Sequence, residues 1–170
     1  MWLLKYSYEK ITGKPAPYYY DYSLMTIVKK PIRKFFAQVI APNCPFNDLR
    51  VQIYRLCGFK IGKGTFIGMK CYLDDMCYDK LIIGNNVIIS YGVYFACHGR
   101  NQGHYPIQIM DNAYIGMRSI VISKNKLLKS GGVTVGMGSV IGAGSLVNID
   151  VPSDSVAVGV PCKIISVDKD

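Results

Sequence analysis

At 170 residues, half of them apolar, the chain has material for one compact domain with an N-terminal appendage, and no run of about 18 uncharged apolar residues that would make a membrane-spanning helix. The formal net charge of +9 is uneven: residues 1–60 hold ten Lys and Arg against three acids and the remainder ten against eight, so the basic character belongs to the N-terminal region. The six cysteines, at 44, 57, 71, 77, 97 and 162, follow neither a disulfide framework nor a zinc spacing. They are expected as reduced thiols packed like small apolar residues, in a cytoplasmic protein that requires no metal.

The opening run MWLLKYSYEKITGK is too short in its apolar part, and too polar afterwards, for a secretory signal. With the Tyr- and Pro-rich stretch PAPYYYDY behind it, residues 1–22 are expected as an extended or irregular arm. From Ser23 a helical period begins. Leu24, Ile27, Val28, Ile32, Phe35, Phe36 and Val39 share one face and Lys29, Lys30, Arg33 and Lys34 the other, with Pro31 expected to kink or divide the helix. Two readings of such a helix stand: the apolar face packs on the rest of the protein or on a neighbouring subunit, or the helix makes a peripheral contact with anionic lipid. Nucleic acid is not an expected partner, because the basic run is short and no recognition motif accompanies it. A second short helix is expected with Asn47 as cap, Leu49, Ile53 and Leu56 inward, and its end at Gly58. These readings divide the chain into a basic arm with helices, 1–58, and a second domain, 59–170.

From residue 61 the chain counts in sixes. Units of six start at Ile61, Ile67 and Leu73, at Ile83, Ile89 and Phe95, at Ile109, Ile115 and Val121, and at Val135, Ile141 and Val147. An apolar residue leads each unit, and Gly follows it in six of the twelve, which marks a turn after each short extended piece. A period of six fits neither a lone helix nor simple strand alternation; it is the mark of a parallel β-helix in which each unit makes one flat face. The fold class is therefore mainly β: a parallel β-helix of about four coils, triangular in section, behind a short helical region. The extra residues 79–82, 101–108 and 127–134 are expected to leave at a corner without breaking the stack.

The stretch PIQIMDNAYIGMRSIVIS, followed by GVTVGMGSVIGAGSLVNIDVPSDSVAVGVPCKII, closely resembles the hexapeptide-repeat acyltransferases, in particular the sugar O-acetyltransferase branch with maltose, galactoside and polysaccharide acetyltransferases. The resemblance covers roughly residues 48–167. It implies a left-handed β-helix, acetyl-CoA as acyl donor, a homotrimer with each active site at a subunit junction, and a sugar or glycan acceptor. On matched positions it implies that CoA follows Gly116, Met117, Gly142, Ala143 and Asn148, with Lys163 near its phosphates. A further basic position of the family is Ser166 here, which leaves Arg118 or Lys124 to take its part, and the loop 124–132 departs from the family's short turn.

The two histidines, His98 and His104, both lie where the six-residue pattern fails. The family's catalytic histidine closes a strand just before the next coil, and His98, closing GVYFAC, matches it. That implies direct transfer: an imidazole of ordinary pKa, near 6.5, is largely neutral at cytoplasmic pH and takes the proton of a sugar hydroxyl as it attacks the thioester. Backbone N–H groups of a neighbouring coil are the expected oxyanion donors. Cys97 is not expected as an acyl carrier, since strand alternation turns it away from the face of His98. His104, Arg100 and Asn101, with Gln102, share the same loop and are expected at the acceptor. Asp74 and Asp75 stand where the family places acceptor-binding acids, or are simply exposed corner acids. N-acyl transfer to an amino-sugar nucleotide needs the same donor and base. A zinc hydratase on the same prism needs three histidines about the metal, which two per chain do not readily supply. A non-catalytic scaffold would have no use for the donor signature.

Overall fold

A computed structural model describes residues 2–17, 20, 23–98, 103–123 and 131–165. The chain forms two compact units that meet at Phe35 and Phe36.

The first unit is helical. Helix α1 spans Trp2–Thr12, where an irregular arm was expected, and its last turn is closed by the Thr12 hydroxyl donating to the Tyr8 carbonyl. Helix α2 spans Leu24–Phe35 and runs through Pro31 without ending there. The Ser23 hydroxyl accepts the Thr26 amide, a hydrogen bond that supplies one of the partners a helix start lacks.

In the second unit a π-helical turn, Phe36–Ile40, leads through a single α-helical turn, Ala41–Asn43, into helix α3, Asn47–Leu56. These segments belong to the same compact unit as the β-strands, whereas the sequence division falls at 58/59. The α3 helix turns a different face inward from the one its leucines indicated. Val51, Tyr54 and Arg50 are buried, while Leu49 and Leu56 are 53% and 87% exposed. Arg50 decides the rotation: its guanidinium reaches under the first coil, donating through Nε to the Ile67 carbonyl at 2.5 Å, to the Cys44 carbonyl, and weakly to Asn47 Oδ1. Asn47 in turn accepts the Ile67 amide at 3.0 Å, so the helix start and the first coil share one polar seam.

The β-strands lie in three sheets that the chain visits in rotation. Sheet 1 holds Lys60–Ile61, Leu81–Ile83, Ile107–Ile109 and Val133–Val135. Sheet 2 holds Phe66–Ile67, Ile88–Ile89, Tyr114–Ile115, Val140–Ile141, Val156–Gly159 and Cys162–Ile165. Sheet 3 holds Tyr94–Ala96, Ile120–Ile122 and Leu146–Val147. All pairings are parallel except the last, where Cys162–Ile165 folds back antiparallel on Val156–Gly159. Four coils are followed by part of a fifth: Val151 bridges to Val135, and Val156 pairs with Val140.

The unit leaders form the core. All twelve except Ile61 are buried, and Ile61 packs against the others. Each falls in register over its counterpart one coil away, as in Ile89 with Ile115 and Phe95 with Val121. Full burial of a side chain of this size contributes about 1.5–3 kcal/mol, so the column is the main source of stability. The corners repeat as strictly. Between sheets 1 and 2, the residues with positive φ are Gly64, Asn86, Asn112, Gly138 and Asp154; between sheets 2 and 3 they are Lys70, Gly92, Arg118 and Gly144. Extra residues gather at the third corner, from sheet 3 to sheet 1.

Arg50→Ala is expected to leave the carbonyls of Ile67 and Cys44 without a donor beneath the first coil, at a cost of at least about 2 kcal/mol. Thermal unfolding is then expected roughly 5 °C or more below the unaltered protein. A melting temperature unchanged by the substitution would show that the seam contributes nothing.

Candidate active site

The sheet 3 to sheet 1 corner brings together Asp74, His98 and His104. His98 follows the strand Tyr94–Ala96 by two residues, and its side chain is 34% exposed. Its backbone forms an antiparallel bridge with His104, and the Tyr105 amide donates to the Cys97 carbonyl at 2.8 Å, so the excursion from the coil is pinched at its neck. Arg100, Asn101 and Gln102, expected at an acceptor, lie outside the described residues, as do Lys124 and Ser166. His104 is exposed.

Asp74 comes from the coil before. In sheet 3, Tyr72 lies beside Tyr94, so two residues further on Asp74 takes the outward position beside Ala96. It is nonetheless fully buried. Its Oδ1 accepts the Met76 amide at 3.0 Å, and its Oδ2 accepts the Cys97 amide at 2.7 Å and the His98 amide at 3.1 Å and meets His98 Nδ1 at 2.5 Å. With backbone donors on both oxygens, the carboxylate acts as an acceptor, so in the neutral imidazole the proton belongs on Nδ1 and the lone pair on Nε2. The sequence reading of Asp74 as an acceptor-binding or exposed corner acid is therefore replaced: the second coil covers the side chain, and it holds the His98 ring. Asp75 stays half-buried and accepts a hydrogen bond from the Tyr72 hydroxyl at 3.1 Å. Burial, and then the nearby Asp75 charge, push the Tyr72 phenol well above its usual range. The Tyr72 and Tyr94 rings stack 4.2 Å apart across the two coils.

Cys97 points the other way. Its side chain is fully buried, and burial followed by the charge of Asp74 pushes its thiol far above the ordinary range. It has no thiolate to offer at neutral pH.

The positions matched to a CoA site are spread differently. Gly116 and Met117, and Gly142 and Ala143, lie at the corner between sheets 2 and 3, Asn148 just beyond the last strand of sheet 3, and Lys163 on the final, antiparallel strand. Within one chain only Asn148 lies at the sheet 3 to sheet 1 corner, two coils beyond His98. Met117, Ala143 and Lys163 are exposed. Gly116 is buried, and a Cβ there would meet the Ala143 amide nitrogen at 2.5 Å, so its want of a side chain serves the approach of the next coil. A Cβ on Gly142 would likewise meet Val158 at 2.5 Å.

No model of a protein family matches the chain. Among curated proteins it is 30% identical to the galactoside O-acetyltransferase of Escherichia coli over 177 residues, covering 92% of this chain and 78% of that one. Proteins named as acetyltransferases in Staphylococcus aureus and Schizosaccharomyces pombe are 39% and 40% identical over 114 and 120 residues, and the chain spans about half their length, 53% in each case. Among solved structures, a hexapeptide-repeat acetyltransferase of Vibrio cholerae superposes with a TM-score of 0.67 at 23% identity, over 87% of this chain and 95% of that one. That protein has also been solved with acetyl coenzyme A. A maltose O-acetyltransferase of Clostridium difficile superposes with a TM-score of 0.60 at 24% identity, over 95% and 97% of the two chains. The two structural likenesses are of fold, and the identity to the galactoside enzyme extends them to ancestry: the chain belongs to the hexapeptide-repeat acetyltransferase family, on its sugar O-acetyltransferase branch.

Proposed function

We propose that the protein is an acetyl-CoA-dependent O-acetyltransferase acting on a sugar hydroxyl of a surface polysaccharide or its precursor, with His98 as general base, Asp74 as the residue that positions it, and a left-handed prism of hexapeptide coils as the frame. The observation that carries the reading is the 2.5 Å contact between Asp74 Oδ2 and His98 Nδ1, in a His98 side chain that is 34% exposed. A buried carboxylate that fixes the proton on Nδ1 turns Nε2 outward as a base. The sugar hydroxyl loses its proton to Nε2 as its oxygen attacks the thioester carbonyl, and the thiolate leaving group takes the proton back as the tetrahedral intermediate collapses. The thioester is already activated, so no covalent enzyme intermediate is needed, and the suppressed Cys97 thiol fits that economy. Support for the donor and the acceptor class comes from the relatives: the Vibrio cholerae protein was solved with acetyl coenzyme A, and the Escherichia coli relative is named for a galactoside. Six free cysteines accord with a cytoplasmic setting.

A homotrimer is part of the same proposal. The outer side of sheet 2 and its corner with sheet 3 carry exposed apolar side chains, among them Ile88, Tyr91, Tyr114, Met117 and Ile120, whereas the corner between sheets 1 and 2 carries Lys63, Asn85, Asp111 and Ser153 beside Met110 and Met137. A row of this kind calls for cover from another copy. Such packing also brings the donor positions Gly142, Ala143 and Asn148 of one copy toward the His98 of its neighbour.

The test is free-thiol release from acetyl-CoA with a panel of sugars. Transfer to hydroxylated sugars is expected, and His98→Ala is expected to lower kcat by about 10²–10⁴-fold at unchanged solution mass. Activity confined to amino sugars would replace O- by N-transfer, and a His98→Ala enzyme as fast as the unaltered one would remove the base. The Asp74→Asn variant loses the negative charge, and because Oδ2 takes the Cys97 and His98 amides together with Nδ1 while Oδ1 takes the Met76 amide, an NH2 group on either side leaves a backbone donor without its acceptor and loosens the hold on the His98 ring. Its kcat is expected to fall by about 10²–10⁴-fold, with KM for acetyl-CoA little changed. A loss seen only in KM would mean that Asp74 acts through binding.

Light scattering is expected to give three times the 18.9 kDa chain mass, and Tyr114→Asp a smaller species. A single-chain mass for the unaltered protein at micromolar concentration would overturn the trimer.

A further inference from the structure

Of the described arginines in the second unit, Arg50 and Arg55 donate to backbone carbonyls, the first at Ile67 and Cys44 and the second at Ile61 and Gly62. Arg118 is exposed, and among the described residues its guanidinium has no hydrogen bond, ion pair or ring contact. It also stands at φ 54°, a left-handed conformation that strains a residue with a long side chain. At the same corner the second and fourth coils have Gly92 and Gly144, each at φ 67°, so glycine is what the turn itself favours. The first coil has Lys70 there, whose ammonium is taken up by the Asn43 side chain. Gly92 gives Arg118 its path. A Cβ at Gly92 would stand 3.5 Å from Arg118 Cγ, so the side chain leans down onto the second coil, the one that ends in His98. Tyr91, Tyr94, Met117 and Ile120 beside it are all at least 40% exposed.

A lone guanidinium on a face that another copy covers needs an anion brought to it, because closing the face over an unpaired charge is costly. Height along the prism selects the source. Prisms related by a three-fold axis parallel to their own stacking direction keep every residue at one level in all three copies. Arg118, reaching down to the second coil, is then level with the His98 of its neighbour. The proposed donor positions climb away from that level: Gly116 and Met117 in the third coil, Gly142 and Ala143 in the fourth, and Lys163 on the last strand, each coil about 4.8 Å above the one before. The thioester has to meet His98, at the low end of this track, so the phosphates of CoA lie toward the high end and away from Arg118. The thioester itself is uncharged, which leaves the acceptor to supply the anion. Given the trimeric acetyltransferase reading, on which this depends, we propose that the acceptor sugar carries an anionic group, a carboxylate or a phosphate, and that Arg118 of one copy holds it beside the His98 of the next through paired N–H donors. Arg118 then serves the acceptor, where the sequence offered it for the phosphates of the donor.

The test offers the full chain a panel of sugars, each as the neutral sugar, the uronic acid and the sugar phosphate, with acetyl-CoA as donor. The kcat/KM for anionic members is expected to exceed that for their neutral counterparts by about tenfold or more, and the two anionic arms tell carboxylate from phosphate. Arg118→Gln is expected to lower kcat/KM for anionic acceptors by about 10- to 100-fold, mainly through KM, and to leave neutral acceptors unchanged. Arg118→Lys, which keeps the charge without the fork, is expected to recover part of the loss. Arg118→Gly is expected to abolish the preference while the melting temperature holds or rises, since glycine is at ease at that φ. Saturation-transfer NMR with the same panel and CoA reads the acceptor without turnover. Anionic binding that disappears in Arg118→Gln, with no transfer to any sugar, would uphold the anion site and sink the reaction. Neutral sugars bound and served as well as anionic ones, or no anionic sugar bound or served at all, overturns the proposal. So does an Arg118→Gln enzyme whose KM rises for acetyl-CoA and not for S-acetylpantetheine, because the anion would then be a phosphate of the donor. A changed solution mass with the acceptor preference intact also overturns it, because the anion would then be an acid of another copy.

Discussion

Everything in the second unit depends on one coil lying directly on the next. The residue after each unit leader shows how tight that approach is. A Cβ on Gly62 would stand 2.3 Å from the Gly84 carbonyl oxygen, one on Gly116 2.5 Å from the Ala143 nitrogen, and one on Gly136 2.4 Å from the Ser153 nitrogen. Real side chains do not reach such distances, so glycine at these places is a condition of stacking. The same constraint makes every position of a coil share its surroundings with its counterparts above and below. Side chains then solve the same problem repeatedly. Asn85 Oδ1 accepts the Lys63 amide, Asp111 Oδ1 accepts the Asn85 amide, and the Ser153 hydroxyl accepts the Met137 amide, each satisfying a corner donor of the adjacent coil. The hydrogen bonds from Asn85 hold the Asp111 carboxyl below its ordinary range.

A stack that rigid leaves only its corners free to differ, and the three corners have gone three ways. The first is laced with these side-chain to backbone bonds. The second, with the strand residues beside it, exposes Tyr91, Met117 and Ile120. The third absorbs the irregular lengths: successive coils advance by the spacing of Lys60 to Ile82, then Leu81 to Ile107, then Ile107 to Val133, then Val135 to Val151. Because the paired strands stay in register throughout, all of this variation is carried by the connection from sheet 3 to sheet 1. The candidate site lies where the chain is not bound to repeat itself, against walls that are.

That logic explains what the sequence discloses and what it hides. The leaders are legible because the core demands an apolar residue every sixth position whatever else happens, and eleven of the twelve are fully inside. His98 is legible because it breaks the pattern. Asp74 is read as an exposed acid because its own coil puts it at an outward position, and what buries it comes 24 residues later, when the second coil brings Cys97 and His98 over it. No local pattern encodes that closure. The face of α3 is hidden for a related reason: the helical period places Leu49 and Leu56 together, but the carbonyls of Ile67 and Cys44 draw Arg50 inward and turn the leucines out. The α1 helix escapes notice because its sequence, with a weak separation of apolar and polar faces, gives no period to read.

The pairing of Cys97 with His98 shows how far one carboxylate can sort the chemistry of its neighbours. Adjacent residues at the end of a strand face opposite ways, so one turns into the core and the other out of it. Asp74 sits within reach of both. It accepts both backbone amides, and its charge raises the cost of a thiolate at Cys97 beyond what burial already imposes. Toward His98 the same charge favours a proton on Nδ1. A single acid thereby disfavours the stronger intrinsic nucleophile and, in the proposed function, positions the weaker group as the base. The arrangement is suited to the proposed transfer without an enzyme-bound acyl group: a thiolate exposed beside a thioester would exchange with it, whereas the imidazole of His98 would serve by taking a proton and returning it.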